Sequence, residues 1–356
     1  MRWWGALVGG LAIGGTAAAQ PIVTVGAPLY QTAAEFTDVS TVRLFGDGSM
    51  LVADPGAREF VRVTGRGRER TVLGRHGSGP GEYESAQHLI AMPNGLTALI
   101  DPPQNRWMLF DSTGAFQRTR VFGPSEHVLR YAEYADARGN AYGLGFPAPP
   151  PAKPERALMR WTAATGRLDT LAVVAGADMV ASPMPAGPSG RPAGVAYFFV
   201  PFAPQDAWAV GPDGSLVVAR AESERLEWRD ANGRITATTR LPAVARFPVS
   251  DSARSVETRA AVREKIPRWQ PLWTENGLRV PRPGTAWLRR TRAPGEPFTE
   301  YLELAPSGTS RRIRFPGRSR IVGYTGNRVV VARRTEDDLQ QLEVYVIPGF
   351  ETAASK

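Results

Sequence analysis

Evenly repeated glycine turns, paired apolar runs after each turn and a composition rich in turn formers predict an all-β chain built from a repeated four-stranded unit. The turn glycines Gly48, Gly95, Gly139, Gly214, Gly284 and Gly326 lie 47, 44, 75, 70 and 42 residues apart. Spacings of 42–47 suit a four-stranded propeller blade. Glycine and proline make up roughly a fifth of the 356 residues, which favours short strands and tight turns over long helices. The predicted fold is therefore a six-bladed β-propeller with four-stranded antiparallel blades.

The units follow in order. Gly46–Ser49 leads into MLVAD and EFVRV, and Pro93–Gly95 into LTALID and RWMLFD. Ala137–Asn140 leads into AYGLGF and, after an insertion, ALMRW; Pro212–Ser215 leads into LVVAR and RLEWRD. Arg282–Gly284 leads into TAWLRR and EYLEL, and Thr325–Asn327 into RVVVAR and LEVYVI. Further turns at Gly114, Gly166, Gly233 and Gly308 each precede another strand-like run. Asn-Gly and Asp-Gly between apolar runs are strong hairpin signals because both residues tolerate positive φ. Blades are expected at roughly 40–83, 84–124, 125–175, 195–244, 268–317 and 318–350.

The last unit ends at VYVIPGF, one strand short, while Pro21–Gly26 is a lone strand-like run. Open sheet edges are a liability that ring closure removes. The N-terminal strand at 21–26 is therefore expected to complete the last blade as its outer strand. Insertions at Pro147–Pro154 and Ala175–Gly194 account for the two long spacings. Residues 250–266 read as one helix, capped by Ser250 or Asp251, with Val256, Ala260 and Ile266 on one face and Pro267 as its stop. Helix and insertions fall outside the repeat and are expected to cover one propeller face.

Residues 1–19 read as a signal peptide: Arg2, an apolar run over Trp3–Ile13, then Thr16–Ala19 before a cleavage point near Ala19–Gln20. An exported protein, periplasmic or extracellular, is expected, with a propeller over 20–350 and a tail at 351–356. No later run reaches the roughly eighteen apolar residues of a membrane span. The chain has no cysteine, which excludes thiolate nucleophiles and cysteine metal sites. Its net charge is +9, almost all from scattered arginines. That distribution predicts no specific nucleic-acid binding. A monomer is expected.

Leu73–Tyr83, LGRHGSGPGEY, concentrates glycines after the first unit. It lacks the Gly-Lys-Ser/Thr ending of a phosphate loop and a following helix, so it reads as a connector between blades. GRHGSGPGEY resembles the inter-blade segment of NHL-like or TolB-like six-bladed propellers, with Tyr83 in place of the usual Phe. DGSMLVADPGAREFVRV resembles the blade pattern of the same family. The resemblance implies structural roles for Asp54 and Arg58, with Ala57 where Asn is usual, and for Asp101, Asn105 and Arg106 in the second unit. It implies structural roles for Gly77, Gly79 and Gly81 too. It implies a fold, with no activity attached.

Chemistry candidates are sparse. The histidines are His76, His88 and His127, and His88, at the start of an inner strand, is the best placed for a channel. Asp54, Asp101, Glu133, Asn140, Asp206 and Glu275 are available oxygen donors for a divalent metal, but none forms a dense acidic loop. No G-x-S-x-G elbow occurs. Aromatics and arginines gather near the insertions. Trp269, Trp273 and Arg268 are expected to be exposed binding residues, with Tyr134, Trp208 and His88 beside them. The expected function is binding or scaffolding of a peptide, glycan or protein partner at one face, without a cofactor. The alternative is a lyase or lactonase-like hydrolase with a divalent metal in the channel.

Overall fold

The computed structural model describes residues 20–145, 155–183 and 194–350. The leader at 1–19, Phe146 with the 147–154 run, residues 184–193 and the 351–356 tail lie outside the described residues. Four sheets each take four consecutive antiparallel strands. The first is Thr41–Leu44, Met50–Asp54, Glu59–Thr64 and Glu69–Val72. The second runs from His88–Ala91 to Phe116–Val121, the third from Tyr134–Ala135 to Leu168–Ala175, and the fourth from Ala207–Val210 to Ile235–Arg240. A fifth sheet, of Trp273–Arg282, Thr285–Arg290, Phe298–Ala305 and Gly308–Pro316, carries Ile22–Thr24 as an added strand. The last sheet is Ser319–Thr325, Arg328–Arg334 and Gln340–Val346, completed by Tyr30–Gln31.

Two expectations are corrected here. Five of these sheets have four strands and one has five, rather than six of four. The 21–26 strand does not close the last blade. Ile22–Thr24 lies parallel to Arg312–Arg314, because Val25 is drawn into the apolar cluster beside that edge, with Tyr301 and Tyr345. Closure falls instead to Tyr30–Gln31, antiparallel to Val344 and Glu343. The Leu29 and Thr32 amides extend this ladder to the Val344 and Leu342 carbonyls.

Middle strands such as Met50–Asp54 and Thr97–Asp101 are buried throughout, as expected of sheets covered on both faces. Consecutive sheets share apolar clusters: Phe60 with Phe110, Trp107 with Trp161, Leu158 with Trp208, Leu226 with Leu278, and Ile313 with Val329. Val42 and Val61 of the first sheet then meet Val330 and Val344 of the last, so the succession returns to its start. Blades packed in this cyclic order make the molecule a β-propeller.

Connections from each sheet's outer strand to the next sheet's inner strand emerge at the face where inner strands begin. The described parts of the connections from the third to the fourth sheet and from the fourth to the fifth lie on that face. Met179–Pro183 pairs with Val195–Phe199, so 195–199 forms its own hairpin outside the fourth sheet. The expected single helix is two, Asp251–Ser255 and Ala260–Arg263. Ser250 caps the first through the Ala253 amide. Between them, Glu257 turns onto the Arg259 backbone and guanidinium, which breaks the helical run. Val256, expected on the apolar face, is 81% exposed. Val249 and Ile266 pack instead on Val200 and Ala203, with Val180 and Ala253 beside them. This satellite core joins hairpin and helices over one face.

Leu73–Tyr83 is held from both sides. Arg106 donates to the carbonyls of Ser78 (3.0 Å) and Glu82 (2.7 Å) and to Asp101 (3.1 Å). The Tyr83 hydroxyl accepts from the Phe60 amide. At Gly77, φ +156°, a Cβ would press on the Glu82 carboxylate and force it to move aside. The Gly79 amide donates to that same carboxylate, and Gly81 takes a φ of +75°.

Candidate functional site

The inner strands of all the sheets line one cavity of about 620 Å³. Strands this near the axis place alternate side chains inward. The inward positions carry Arg43, His88, Tyr134, Arg279, Arg320 and Tyr324, with Glu133 at the rim of the third sheet. Three guanidiniums and two phenols against one carboxylate make a lining of hydrogen-bond donors.

His88 is pinned. Its Nε2 lies 3.0 Å from the Glu133 carbonyl oxygen, which only accepts, so this nitrogen carries the proton. Nδ1 then accepts from the Thr41 hydroxyl. Burial lowers its pKa to about 4; the Glu133 contact opposes this, and the charges of Arg279 and Arg320 add to it. With both nitrogens engaged and the ring neutral, His88 is a structural pin within the wall. Unfolded His88 gains a proton below pH 6.5 while the folded ring stays neutral to about 4. Its contribution to stability is therefore complete above pH 6.5 and is lost as pH falls toward 4, on the order of 3 kcal/mol. Denaturant midpoints at pH 7 and pH 4.5 check this. His88→Gln is expected to flatten the acid slope, and an unchanged slope would assign it to other groups.

Arg279 reaches back along its strand. It donates to the carbonyls of Asn276 (3.0 Å) and Leu278 (2.8 Å), with a long contact to Ile321 (3.4 Å). No carboxylate lies within ion-pair distance of it among the described side chains; burial lowers its pKa, but the phenols of Tyr134, Tyr301 and Tyr324 and the Glu133 charge outweigh this and the net direction is up. Arg320 donates to the Val39 carbonyl and lies 3.7 Å from Asp38. Burial, then the charges of Arg279 and Arg289, push its pKa down. Burial does the same to Arg43, whose Nε has no partner. A guanidinium does not deprotonate at working pH, so these directions register the cost of burying its charge at Arg43 and Arg320. Tyr134 and Tyr324 are raised by burial. Both phenols stay protonated and donate weakly, to the carbonyls of Trp208 (3.4 Å) and Val280 (3.3 Å).

The sequence candidates divide. His88 and Tyr134 meet in the cavity wall. Trp273 and Trp208, expected as binding residues, are each 4% exposed and sit in clusters between sheets. Their correction follows from burial: an indole at an inner-strand edge fills the wedge between blades. Trp269 is exposed, with the Arg268 guanidinium 5.1 Å from its ring centre. Both lie beside Pro248 and line neither the channel nor its mouth.

Of the oxygen donors, Asp54, Asp101, Asp206 and Asn140 are taken up by backbone amides, guanidiniums and turns, while Glu133 lines the cavity. Asp54 accepts from the amides of Thr37, Asp38 and Ala57. Asp101 accepts from Ser85 and Arg106, and Asp206 from Ala175, Ala221 and Arg220. Asn140 serves the Asp136 turn. Arg58 does not pair with Asp54; it and Asn105 hold left-handed turn positions at φ +57° and +54°, and Asn105 donates to the Phe122 carbonyl. Side chains of His127 and Glu275 lie outside the described ones. Among the described residues no three His, Asp or Glu side chains gather as a metal site.

Arg43, Arg279, Arg320 and Tyr324 were not singled out by sequence reasoning. The available signal is an arginine between two apolar residues in two inner strands, TVRL and GLRV, and one between Ser319 and Ile321 in a third, SRIV.

No protein-family model matches the chain, and no curated protein matches it. Solved structures similar to it include regucalcin, a calcium-binding protein from Agrobacterium tumefaciens, at 14% identity over 94% of this chain and 98% of that one, TM-score 0.41. A streptogramin B lyase has 12% identity over 89% and 86%, TM-score 0.41. A member of the duf4221 family from Bacteroides vulgatus has 9% identity over 90% and 95%, TM-score 0.42. At these identities and scores the likenesses carry no argument about what this chain does. No helix among the described residues is long and apolar enough to cross a membrane.

Proposed function

We propose that the protein is an exported six-bladed propeller of the NHL-like kind, the 273–316 sheet counted as a blade, that binds an acidic group of a glycan or peptide in its channel. The observation that carries this reading is the donor lining of Arg43, Arg279, Arg320, Tyr134 and Tyr324. Guanidiniums short of carboxylate partners favour carboxylate or phosphate ligands, which they bind through paired N–H groups. A channel hydrolase would need converging carboxylates or imidazoles, and here Asp54, Asp101, Asp206 and His88 are held by other partners.

Titration calorimetry with trigalacturonate and with an acidic peptide tests the reading. One of the two is expected to bind, weakening as salt rises. Arg279→Gln is expected to weaken it roughly ten- to a hundredfold, the range for a lost hydrogen bond to a charged group. Binding that ignores both salt and Arg279 contradicts the reading.

A further inference from the structure

A second cavity, of about 790 Å³, opens at the face where the inner strands begin, and Asn276 and Arg320 line both cavities. Six arginines line it, Arg289, Arg290, Arg292, Arg318, Arg320 and Arg334, against two acids, Asp38 and Asp338. Ion pairs account for three of the six. Arg290 pairs with Glu296 and, at 3.1 Å, Glu300; Arg334 pairs with Asp338 at 2.5 Å; Arg320 lies 3.7 Å from Asp38.

The other three have no carboxylate partner among the described side chains. Arg289 donates to the Thr274 hydroxyl. Arg292 donates to the Glu296 carbonyl, and its buried Nε has no partner. Arg318 is exposed at the rim. Like charges gathered in a recess repel one another and leave donors unsatisfied, and a bound anion offsets both. Arg279, bonded to the Asn276 carbonyl, and Arg320 stand where this recess joins the channel.

We propose that the mouth is a second anion subsite, taking a carboxylate or phosphate group, so that the ligand carries at least two anionic groups. One group lies at Arg279 and Arg320, and the other at Arg289, Arg292 and Arg318. This rests on the channel being an anion site.

The test compares multi-anion probes with single ones by calorimetry at low salt: tripolyphosphate against inorganic phosphate, and citrate against acetate. At least one multi-anion probe is expected to bind tenfold or more tighter than its single-group counterpart. An excess for tripolyphosphate alone assigns phosphate groups to the ligand, and one for citrate alone assigns carboxylates. Arg292→Gln with Arg318→Gln is expected to remove the excess and leave the single-group probe within twofold. Arg318→Glu, at an exposed position, is expected to do the same without risk to folding. An excess that survives these changes, or no excess in the unaltered protein, overturns the subsite. Single-group binding that ignores Arg279→Gln overturns the channel reading instead.

Discussion

A chain beginning at residue 32 is expected to lose its cooperative thermal transition. Two edges open at once. The last sheet loses Tyr30–Gln31 and the Leu29 amide that bonds Val344, and the 273–316 sheet loses its parallel strand. The Tyr30 hydroxyl, which donates to the Gly48 carbonyl at 2.7 Å, goes too. This strand exchange joins chain positions about 300 apart, and without it only Thr32 and the Phe36–Gln340 bridge still cover the outer edge of the last sheet. A chain beginning at residue 27 separates the two effects. It lacks only the parallel strand and is expected to keep a cooperative, lowered melt. Circular dichroism melts of both chains check the expectation. Equal damage from the shorter deletion would return closure to the 21–26 strand.

Replacing Arg106 with leucine is expected to lower stability by about 3–5 kcal/mol, the cost of leaving a buried charge alone. Asp101 is fully buried and pairs with Arg106 at 3.1 Å. The same guanidinium holds the Gly-rich connector through the Ser78 and Glu82 carbonyls. Two supports fail together, and the melting midpoint is expected to drop by roughly 10 °C. Asp101→Asn combined with Arg106→Leu removes the stranded charge and is expected to recover part of the loss. A single variant that melts with the unaltered protein would mean that Asp101 is solvated in solution.

The repeat was legible because turn glycines must appear where the backbone takes positive φ, as Gly48, Gly95 and Gly214 do. Asp54 and Asp101 were legible as ties because carboxylates beside tight bends meet orphan amides. The site was not. Trp208 and Trp273 stand near turns and insertions in the sequence, and only the packing of neighbouring blades shows them enclosed. Arg43 is more than 200 residues from Arg279 and Arg320, and the three converge only when the blades form a ring. The helix break at Glu257 rests on a local carboxylate–guanidinium contact that periodicity does not register. The parallel placement of Ile22–Thr24 was hidden for a similar reason. A three-residue strand carries too little pattern to name its partner edge.

The proposed site is a donor-lined channel that takes an acidic group. Melting midpoints with trigalacturonate, with the acidic peptide and with calcium chloride distinguish it from a metal site. A ligand at a hundredfold over its Kd adds about 2.7 kcal/mol to the folded state. An acidic probe is expected to raise the midpoint by several degrees, Arg279→Gln to abolish the rise, and calcium to leave the midpoint where it was. A midpoint raised by calcium and unmoved by either acidic probe would contradict it.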